Sequence, residues 1–330
     1  MTLEIRQLTV DYPRPRLPPV RAVVDVDLDV PAGQVVGLVG ESGCGKSTLA
    51  RAAIGLVPRT SGTVLFHGMD VTALGNGARP QRLRRIQMVF QDPYASLNPR
   101  RKVGRQIADG LRAQVGDDRE RQRRVASLLE QVGLNGSIAD GYPFEFSGGQ
   151  RQRIAIARAL ATDPEIIIAD EAVSALDAST QAQVANLLVR LARQRDAGLL
   201  FISHDLGIVH HISDTVAVMY LGRIVEQGLT ESVWARPSHP YTKALIAAVP
   251  RHDGSRTLPV PLEGEVPDPS RPPDGCRFHP RCPERIERCF TESPQLESIG
   301  AAHETACWVA TTRVALTPRT VDVDDDEEER

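Results

Sequence analysis

Three groups of residues carry side chains that could bind and cleave a phosphate ester. The first is a glycine-rich stretch with a lysine and three hydroxyls, Gly40-Glu41-Ser42-Gly43-Cys44-Gly45-Lys46-Ser47-Thr48. Glycines let backbone N–H groups turn toward an anion, and the lysine adds positive charge. The second group is the carboxylate pair Asp170 and Glu171, and the third is His204. Because carboxylates hold Mg²⁺ or activate water, these groups together indicate nucleotide hydrolysis.

The glycine-rich stretch has the flanking elements that a P-loop needs. The apolar run Val35 to Val39 predicts a buried strand before it, and good helix formers follow Lys46. Strand, loop and helix in this order place the loop N–H groups and the helix N-terminus around phosphates. We therefore expect Lys46 to reach the β- and γ-phosphates and the Ser47 hydroxyl to bind Mg²⁺.

A second apolar run, from Glu165 to Ala169, ends at the two carboxylates. A buried strand that ends this way places Asp170 and Glu171 at the C-terminal edge of a sheet, where ligands bind in open α/β folds. Asp170 is expected to hold Mg²⁺ through water, and Glu171 is expected to polarise the attacking water as a general base.

The segment Ser147-Gly148-Gly149-Gln150 predicts a second helix end able to bind phosphate. Ser147 is a good N-cap, the two glycines expose backbone N–H groups, and a strongly helical stretch follows. This helix end comes too late in the chain to serve the nucleotide of the first loop.

In this order the motifs resemble the ATP-binding subunit of ABC transporters, which binds ATP between two such subunits. The resemblance implies that Ser147, Gly148, Gly149 and Gln150 close on the ATP held by a partner subunit. It also implies that Asp177 lies in the loop that crosses the dimer interface. By the same resemblance Gln91 senses Mg²⁺, His204 contacts the γ-phosphate, and Tyr12 stacks on adenine.

The resemblance implies an α/β fold with a RecA-like P-loop core and a helical subdomain. Residues 1–235 are expected to form the nucleotide-binding domain, with the helical subdomain at about 92–160. The segment Ser238 to Leu245 contains His-Pro-Tyr and is similar to the C-terminal extension of oligopeptide/dipeptide-type ATPases. We therefore expect a small irregular extension over 236–320, followed by a disordered acidic tail at 321–330.

Four cysteines fall in the extension, at Cys276, Cys282, Cys289 and Cys307, with gaps of five, six and seventeen residues. Four thiolates can hold an iron–sulfur cluster or zinc, but the close cysteine pairs usual in structural zinc sites are absent from the sequence. Free thiols are the third possibility. Related peptide-importer ATPases carry a [4Fe–4S] cluster in this region, so the resemblance implies a structural cluster of that type.

Composition narrows the classes of function. The chain has 330 residues, 41% of them hydrophobic and 25% charged, with a net charge of −3. Residues 321–330 carry seven acids and one arginine, so residues 1–320 have a net charge of +3. This small excess predicts no nucleic-acid binding. No apolar run is long enough to span a membrane, and the N-terminus lacks the apolar core of a signal peptide.

The resemblance implies an ATPase subunit that powers peptide import from the cytoplasmic side of the inner membrane. The expected partners are a second ATPase subunit, identical or homologous, two transmembrane permease subunits and an extracytoplasmic substrate-binding protein. Nickel, glutathione or sugar import is the alternative within the family. A soluble ABC ATPase of repair or translation is a second alternative. The intact Lys46, Asp170, Glu171 and His204 disfavour a third, a regulatory subunit with an inactive site.

Overall fold

The computed structural model of the protein describes residues 3–71, 79–92, 96–249 and 264–316. The predicted acidic tail at 321–330 and residues 93–95, directly after the Gln91 segment, lie outside the described residues. The strands are β1 Leu3–Arg14, β2 Leu17–Val30, β3 Val35–Val39, β4 Ser61–Phe66, β5 Met69–Asp70, β6 Ile86–Val89, β7 Ile166–Asp170, β8 Gly198–Ile202, β9 Thr215–Tyr220, β10 Arg223–Leu229, β11 Glu297–Gly300 and β12 His303–Thr305. The α-helices are α1 Lys46–Ala53, α2 Val103–Leu111, α3 Asp118–Gln131, α4 Gly148–Leu160, α5 Ala178–Arg193, α6 Leu206–Ile212, α7 Thr230–Ala235, α8 Pro240–Ala247, α9 Arg288–Thr291 and α10 Trp308–Leu316.

A central eight-stranded sheet positions the predicted chemistry. Its strand order is β11-β12-β10-β9-β3-β8-β7-β6. The strands from β9 through β3, β8 and β7 to β6 run parallel, and β10, β12 and β11 extend one edge in antiparallel pairing. All residues of β3, β7 and β8 are buried, as their continuous apolar sequences predict for strands covered on both faces.

A second sheet covers the start of helix α1. It is antiparallel, with strand order β2-β1-β4-β5. Leu3, Ile5, Leu8 and Val10 of β1 are buried and form a core with Leu49, Ala50 and Ala53 of α1. This core fixes α1, and the loop before it, against both sheets.

Helices α2, α3 and α4 pack on one another and form the helical part of the molecule. Their shared core contains Val103 and Ile107 from α2, Val125 and Leu129 from α3, and Ile154 from α4. These helices lie within residues 92–160, where the sequence predicts a helical subdomain. The exact domain boundaries stay a prediction.

The C-terminal extension is less irregular than its sequence suggests, because it adds two short strands to the central sheet. β12 pairs with β10, placing Glu226 opposite Thr305. Glu226 is fully buried, and its carboxylate accepts hydrogen bonds from the backbone N–H groups of Ser238 and His239 and pairs with the His303 ring. This carboxylate therefore joins the core sheet to both ends of the extension.

In the described part of the chain, no helix combines the length and the apolar character that crossing a membrane requires.

Candidate active site

The glycine-rich loop connects β3 to α1 in a conformation that excludes side chains at two positions. Gly40 has φ 154° and Gly45 has φ 110°. A Cβ on Gly40 would lie 2.2 Å from the carbonyl oxygen of Met219, and one on Gly45 would lie 2.2 Å from that of Ala22. Both distances are far below any real carbon–oxygen contact, so the loop path requires glycine here.

Lys46 lies inside this loop. Its side chain is buried, and Nζ donates to the carbonyl oxygens of Gly40 at 2.7 Å and Glu41 at 2.9 Å. The loop therefore curls around a positive charge at the N-terminus of α1, where the helix dipole is also positive. Phosphate oxygens could replace these two carbonyl acceptors.

The hydroxyl of Ser47 and the carboxylate of Asp170 meet at the end of the sheet. Ser47 Oγ donates to Asp170 Oδ1 at 2.7 Å. Burial raises the pKa of Asp170, and the hydrogen bond from Ser47 opposes that effect. A serine hydroxyl and a carboxylate in contact supply the oxygen ligands that Mg²⁺ prefers.

Strand order brings His204 between the loop and the carboxylates. β8 lies between β3 and β7, and the segment after it contains His204. The backbone N–H of Glu171 donates to the carbonyl of Ile202 at the end of β8, at 3.0 Å. Glu171 itself has φ 46°, a left-handed conformation that side chains rarely adopt and that is typical of functional sites.

The Glu171 carboxylate lies between an amide and an imidazole. Gln91 Nε2 donates to Glu171 Oε2 at 3.3 Å and to the Ser174 hydroxyl at 3.4 Å. His204 Nδ1 lies 3.5 Å from the same carboxylate oxygen. Two of the residues predicted to be catalytic, Gln91 and His204, thus lie beside the third, Glu171, and the Gln91 contact with Ser174 is one that the sequence did not indicate.

Tyr12 lies beside the start of α1. Its Oη is 3.4 Å from Thr48 Oγ1, and the residue is 37% exposed. An aromatic ring next to the phosphate-binding loop with an accessible face is in a suitable place to stack on a base. Its role as the adenine contact stays a prediction.

The second predicted phosphate-binding helix end is built as the sequence indicates. Ser147 caps α4: its Oγ accepts from the Gln150 N–H at 3.3 Å, and Gln150 Oε1 accepts from the Ser147 N–H at 2.9 Å. A Cβ on Gly148 would lie 3.7 Å from Leu176, and one on Gly149 would lie 3.1 Å from Thr180. These glycines therefore face the segment after β7.

Asp177 caps the helix that follows this segment. Its carboxylate accepts the Thr180 N–H at 3.0 Å and the Ser179 hydroxyl at 2.8 Å. The hydrogen bonds from Thr180 and Ser179 lower the pKa of Asp177 to about 2. The side chain is therefore a stable surface anion beside the Ser147 helix end.

Glu41 is the P-loop residue whose surroundings the sequence did not predict. Its backbone N–H donates to Tyr241 Oη at 2.9 Å, and its carboxylate pairs with Arg281 at 2.7 Å. Both partners belong to the C-terminal extension. The His-Pro-Tyr sequence marked this segment, but nothing in its spacing predicted a contact with the loop.

The expected metal cluster finds no support in the described geometry. Across residues 3–71, 79–92, 96–249 and 264–316, no group of three or more His, Cys, Asp or Glu side chains is placed to hold a metal ion. The four thiols influence one another electrostatically, so they share one region, and burial raises the pKa of Cys276 to about 12 and of Cys282 to about 11. Both pack against the apolar core as thiols. The [4Fe–4S] cluster, and zinc as its alternative, therefore stay predictions without structural support.

A lysine-containing glycine loop facing a strand-end carboxylate pair defines the class of P-loop nucleotide hydrolases. Comparison with known proteins makes this more specific. The profile of the ABC transporter family matches residues 23–174, and the profile of the oligopeptide/dipeptide transporter C-terminal region matches residues 225–289.

Two relatives extend the similarity over most of the chain. A probable peptide ABC transporter ATP-binding protein of Sinorhizobium fredii is 51% identical over 93% of this chain and 89% of its own. The di/tripeptide transport ATP-binding protein DppF of Pseudomonas aeruginosa is 47% identical over 85% of this chain and 87% of its own. The chain belongs to the family of ABC transporter ATP-binding proteins, and it is an ATPase.

Solved structures agree on the fold. CbiO1 of Clostridium perfringens, part of the ABC transporter complex CbiONQ, is 28% identical with a TM-score of 0.63, over 71% of this chain and 91% of its own. The ATP-binding cassette MJ0796 was solved as a dimer in a post-hydrolysis state with ADP and Pi. It is 26% identical with a TM-score of 0.63, and the match covers 69% of this chain and 98% of MJ0796. The predicted ABC ATPase fold is therefore confirmed.

Proposed function

We propose that this chain is the ATP-hydrolysing subunit that powers import of di- and oligopeptides through an ABC transporter at the cytoplasmic membrane. It acts at the cytoplasmic face with a second ATPase subunit, identical or homologous. Two transmembrane permease subunits form the path, and an extracytoplasmic binding protein delivers the peptide.

One observation carries the catalytic part of the proposal. Ser47, Asp170 and Glu171 meet at the C-terminal edge of three adjacent parallel strands, with Gln91 and His204 in contact with Glu171. This is the edge where ligands bind in open α/β sheets. This arrangement supports a site in which a phosphate-binding loop, Mg²⁺ ligands and a general base act together.

Each residue has a proposed role in that site. Lys46 and the loop N–H groups of Gly43, Gly45 and Thr48 bind the phosphates, with Ser42 and Cys44 completing the loop. Ser47, Asp170 and Gln91 would hold Mg²⁺, which when bound neutralises phosphate charge. Glu171 takes a proton from the attacking water, and His204 contacts the γ-phosphate. Tyr12 stacks on adenine.

A second subunit completes the site in this proposal. The Ser147 helix end and Asp177 lie together, beside Leu176 and Thr180. A capped helix N-terminus with two glycines is suited to an anion, so we assign it to the γ-phosphate of the ATP held by the partner subunit. Closure on two ATP molecules then drives the membrane subunits.

Peptides are the proposed cargo on the basis of similarity over most of the chain. Both relatives described above are named as peptide or di/tripeptide transport ATPases. The match to the oligopeptide/dipeptide C-terminal region adds a feature outside the ATPase core.

The experiment that tests the proposal is transport by the assembled complex. The chain is purified with its membrane subunits, reconstituted in proteoliposomes with the binding protein, and supplied with ATP and labelled cargo. We expect uptake of di- and tripeptides that depends on ATP, and no uptake with Glu171→Gln, which should slow hydrolysis by about 100-fold or more while ATP still binds. Uptake of Ni²⁺, glutathione or a sugar without peptide uptake would reassign the cargo. Recovery of the chain with ribosomes or DNA, and without membrane subunits, would overturn the proposal.

A further inference from the structure

The C-terminal extension contacts the phosphate-binding loop at one residue, Glu41. Tyr241 Oη accepts a hydrogen bond from the Glu41 backbone N–H at 2.9 Å. Arg281 donates from Nη1 to Glu41 Oε2 at 2.7 Å and from Nη2 to Oε1 at 3.1 Å. The two partners follow Glu41 by 200 and 240 residues, so folding of the extension is what brings them to the loop.

These contacts are built into the core. The Arg281 side chain is 4% exposed, and Tyr241 is fully buried. The Tyr241 ring packs against the rings of Tyr220 at 4.7 Å and Phe278 at 5.5 Å between centroids. The Glu41 side chain is 27% exposed, so the pair is part-buried, and its two hydrogen bonds fix geometry more strongly than a single-bond exposed ion pair does.

The charge of Arg281 persists despite its burial. Burial by itself lowers the pKa of an arginine, but the hydrogen bonds and the attraction of the Glu41 carboxylate raise the pKa of Arg281 above its usual value. The pair therefore remains ionic, and the positive guanidinium neutralises a carboxylate that belongs to the loop itself.

Every polar group of Glu41 is engaged. Its N–H is held by Tyr241, its carboxylate by Arg281, and its carbonyl accepts from Lys46 Nζ at 2.9 Å. Contacts from the extension therefore fix the orientation of the Glu41 peptide unit, and with it the start of the phosphate-binding loop. Without Arg281, the negative charge of the Glu41 carboxylate would be unpaired. It would then repel the negatively charged triphosphate that the loop is proposed to bind.

The His-Pro-Tyr sequence starts helix α8 and thereby positions Tyr241. His239 caps α8, because its Nδ1 accepts the Tyr241 N–H at 3.0 Å, and Pro240 occupies the first turn, where a missing N–H costs nothing. The tyrosine in the first turn then points its hydroxyl to the loop.

We propose that Tyr241 and Arg281 are positioning residues for ATP binding, which hold Glu41 so that the affinity of the loop for ATP depends on the docked C-terminal extension. The proposal rests on the proposed nucleotide site. It gives the extension a role in the ATP-binding step, separate from any contact with membrane subunits.

Arg281→Met tests the ion pair, with Lys243→Met as the matched control. Lys243 pairs with Glu284 at 2.9 Å within the same extension, and its ammonium has no contact with Glu41 among the described ion pairs. Binding of a fluorescent ATP analogue and steady-state hydrolysis are measured on the purified protein. We expect Arg281→Met to raise Kd and KM for ATP by about tenfold with kcat within about twofold, and Lys243→Met to leave all three within about twofold.

Two further variants separate positioning from a general loss of structure. Glu41→Gln in the Arg281→Met background removes the unpaired carboxylate, so we expect it to restore most of the ATP affinity. Tyr241→Phe keeps the ring packing and removes the acceptor of the Glu41 N–H, so KM should rise with little change in kcat. Rescue by Glu41→Gln would not occur if Arg281→Met acted only by loosening the fold.

Unchanged ATP affinity in Arg281→Met and Tyr241→Phe would overturn the proposal, as would equal losses in Arg281→Met and Lys243→Met. The Lys46→Ala variant distinguishes failure of the positioning role from failure of the proposed nucleotide site. If Lys46→Ala binds ATP as the wild type does, the proposed nucleotide site is wrong. If Lys46→Ala abolishes binding while the other variants bind normally, only the positioning role fails.

Discussion

Ser47 and Asp170, which are 123 residues apart in the chain, are joined by a 2.7 Å hydrogen bond from the serine hydroxyl to the carboxylate. The serine lies in the first turn of α1 and the aspartate ends β7, so the contact closes the site between the loop and the sheet. Burial raises the pKa of Asp170, and the Ser47 hydroxyl and the positive charges of Arg51 and Lys46 oppose the effect.

Replacement of Asp170 by Asn should remove the charge that this arrangement keeps at the Mg²⁺ position. The side chain keeps its size, so we expect little loss of stability but a fall in ATP hydrolysis of about 100-fold or more. Phosphate release measured over a Mg²⁺ titration checks this. Asp163→Asn, in an exposed pair with Arg85, is the control and should hydrolyse ATP normally. A rate for Asp170→Asn within twofold of wild type would contradict the assignment.

Gly45→Ala should lower the free energy of unfolding more than Gly68→Ala does. The added Cβ would lie 2.2 Å from the Ala22 carbonyl oxygen, at φ 110°. Gly68 also has a positive φ, of 73°, but no atom lies within 4 Å of its added Cβ. Gly68→Ala should therefore cost only the backbone strain, about 1–2 kcal/mol, and Gly45→Ala clearly more. Urea denaturation of both variants measures the difference, and equal losses would mean that the Ala22 contact relaxes freely.

The motif residues were predictable because each motif is local. A buried apolar strand followed by a glycine-rich loop and a helix specifies its own geometry, and the parallel order of β3, β8 and β7 then brings Lys46, Asp170 and His204 to one edge. The family resemblance supplied the residues that act between elements, such as Gln91, whose contact with Glu171 is now seen.

The extension was less predictable for two physical reasons. Strands β11 and β12 have four and three residues, too few to show an alternating pattern, so their pairing with β10 had no sequence signal. The Arg281–Glu41 pair spans 240 residues and depends on tertiary folding alone. The cysteine spacing could not distinguish thiols packed in a core from metal ligands, since both place buried sulfur atoms in one region.

Glu226→Gln should destabilise the junction between the extension and the central sheet. The fully buried carboxylate accepts from the Ser238 N–H at 2.7 Å and the His239 N–H at 2.9 Å, and lies 2.8 Å from His303 Nε2. An amide offers one acceptor oxygen for these groups, so we expect a loss of about 2–4 kcal/mol in the free energy of unfolding.

Glu231→Gln is the control for this change, because Glu231 is 89% exposed in its pair with His210. It should change the free energy of unfolding by less than about 0.5 kcal/mol. Chemical denaturation of the two variants gives the comparison. If both lose equally little, the Glu226 carboxylate does not hold the extension to the sheet.

His239 should make stability depend on pH through the helix cap that places Tyr241. Burial lowers the pKa of His239 to about 4, with Glu226 and Glu284 opposing and Lys243 adding to the effect. The unfolded chain, with a pKa near 6.5, binds a proton at higher pH than the folded chain, so stability is complete above about pH 6.5 and falls as the pH drops toward 4.

The loss in the free energy of unfolding that His239 causes should reach about 2 kcal/mol at about pH 5. His239→Asn retains an N-cap acceptor but cannot titrate, so it isolates this contribution from the other groups that gain protons in acid. Denaturation of both proteins at about pH 7.5 and about pH 5 should show the wild type losing about 2 kcal/mol more than the variant over that interval. Parallel losses would mean that the folded protein protonates His239 as readily as the unfolded chain does, so that the Nδ1 acceptor of the Tyr241 cap adds little to stability.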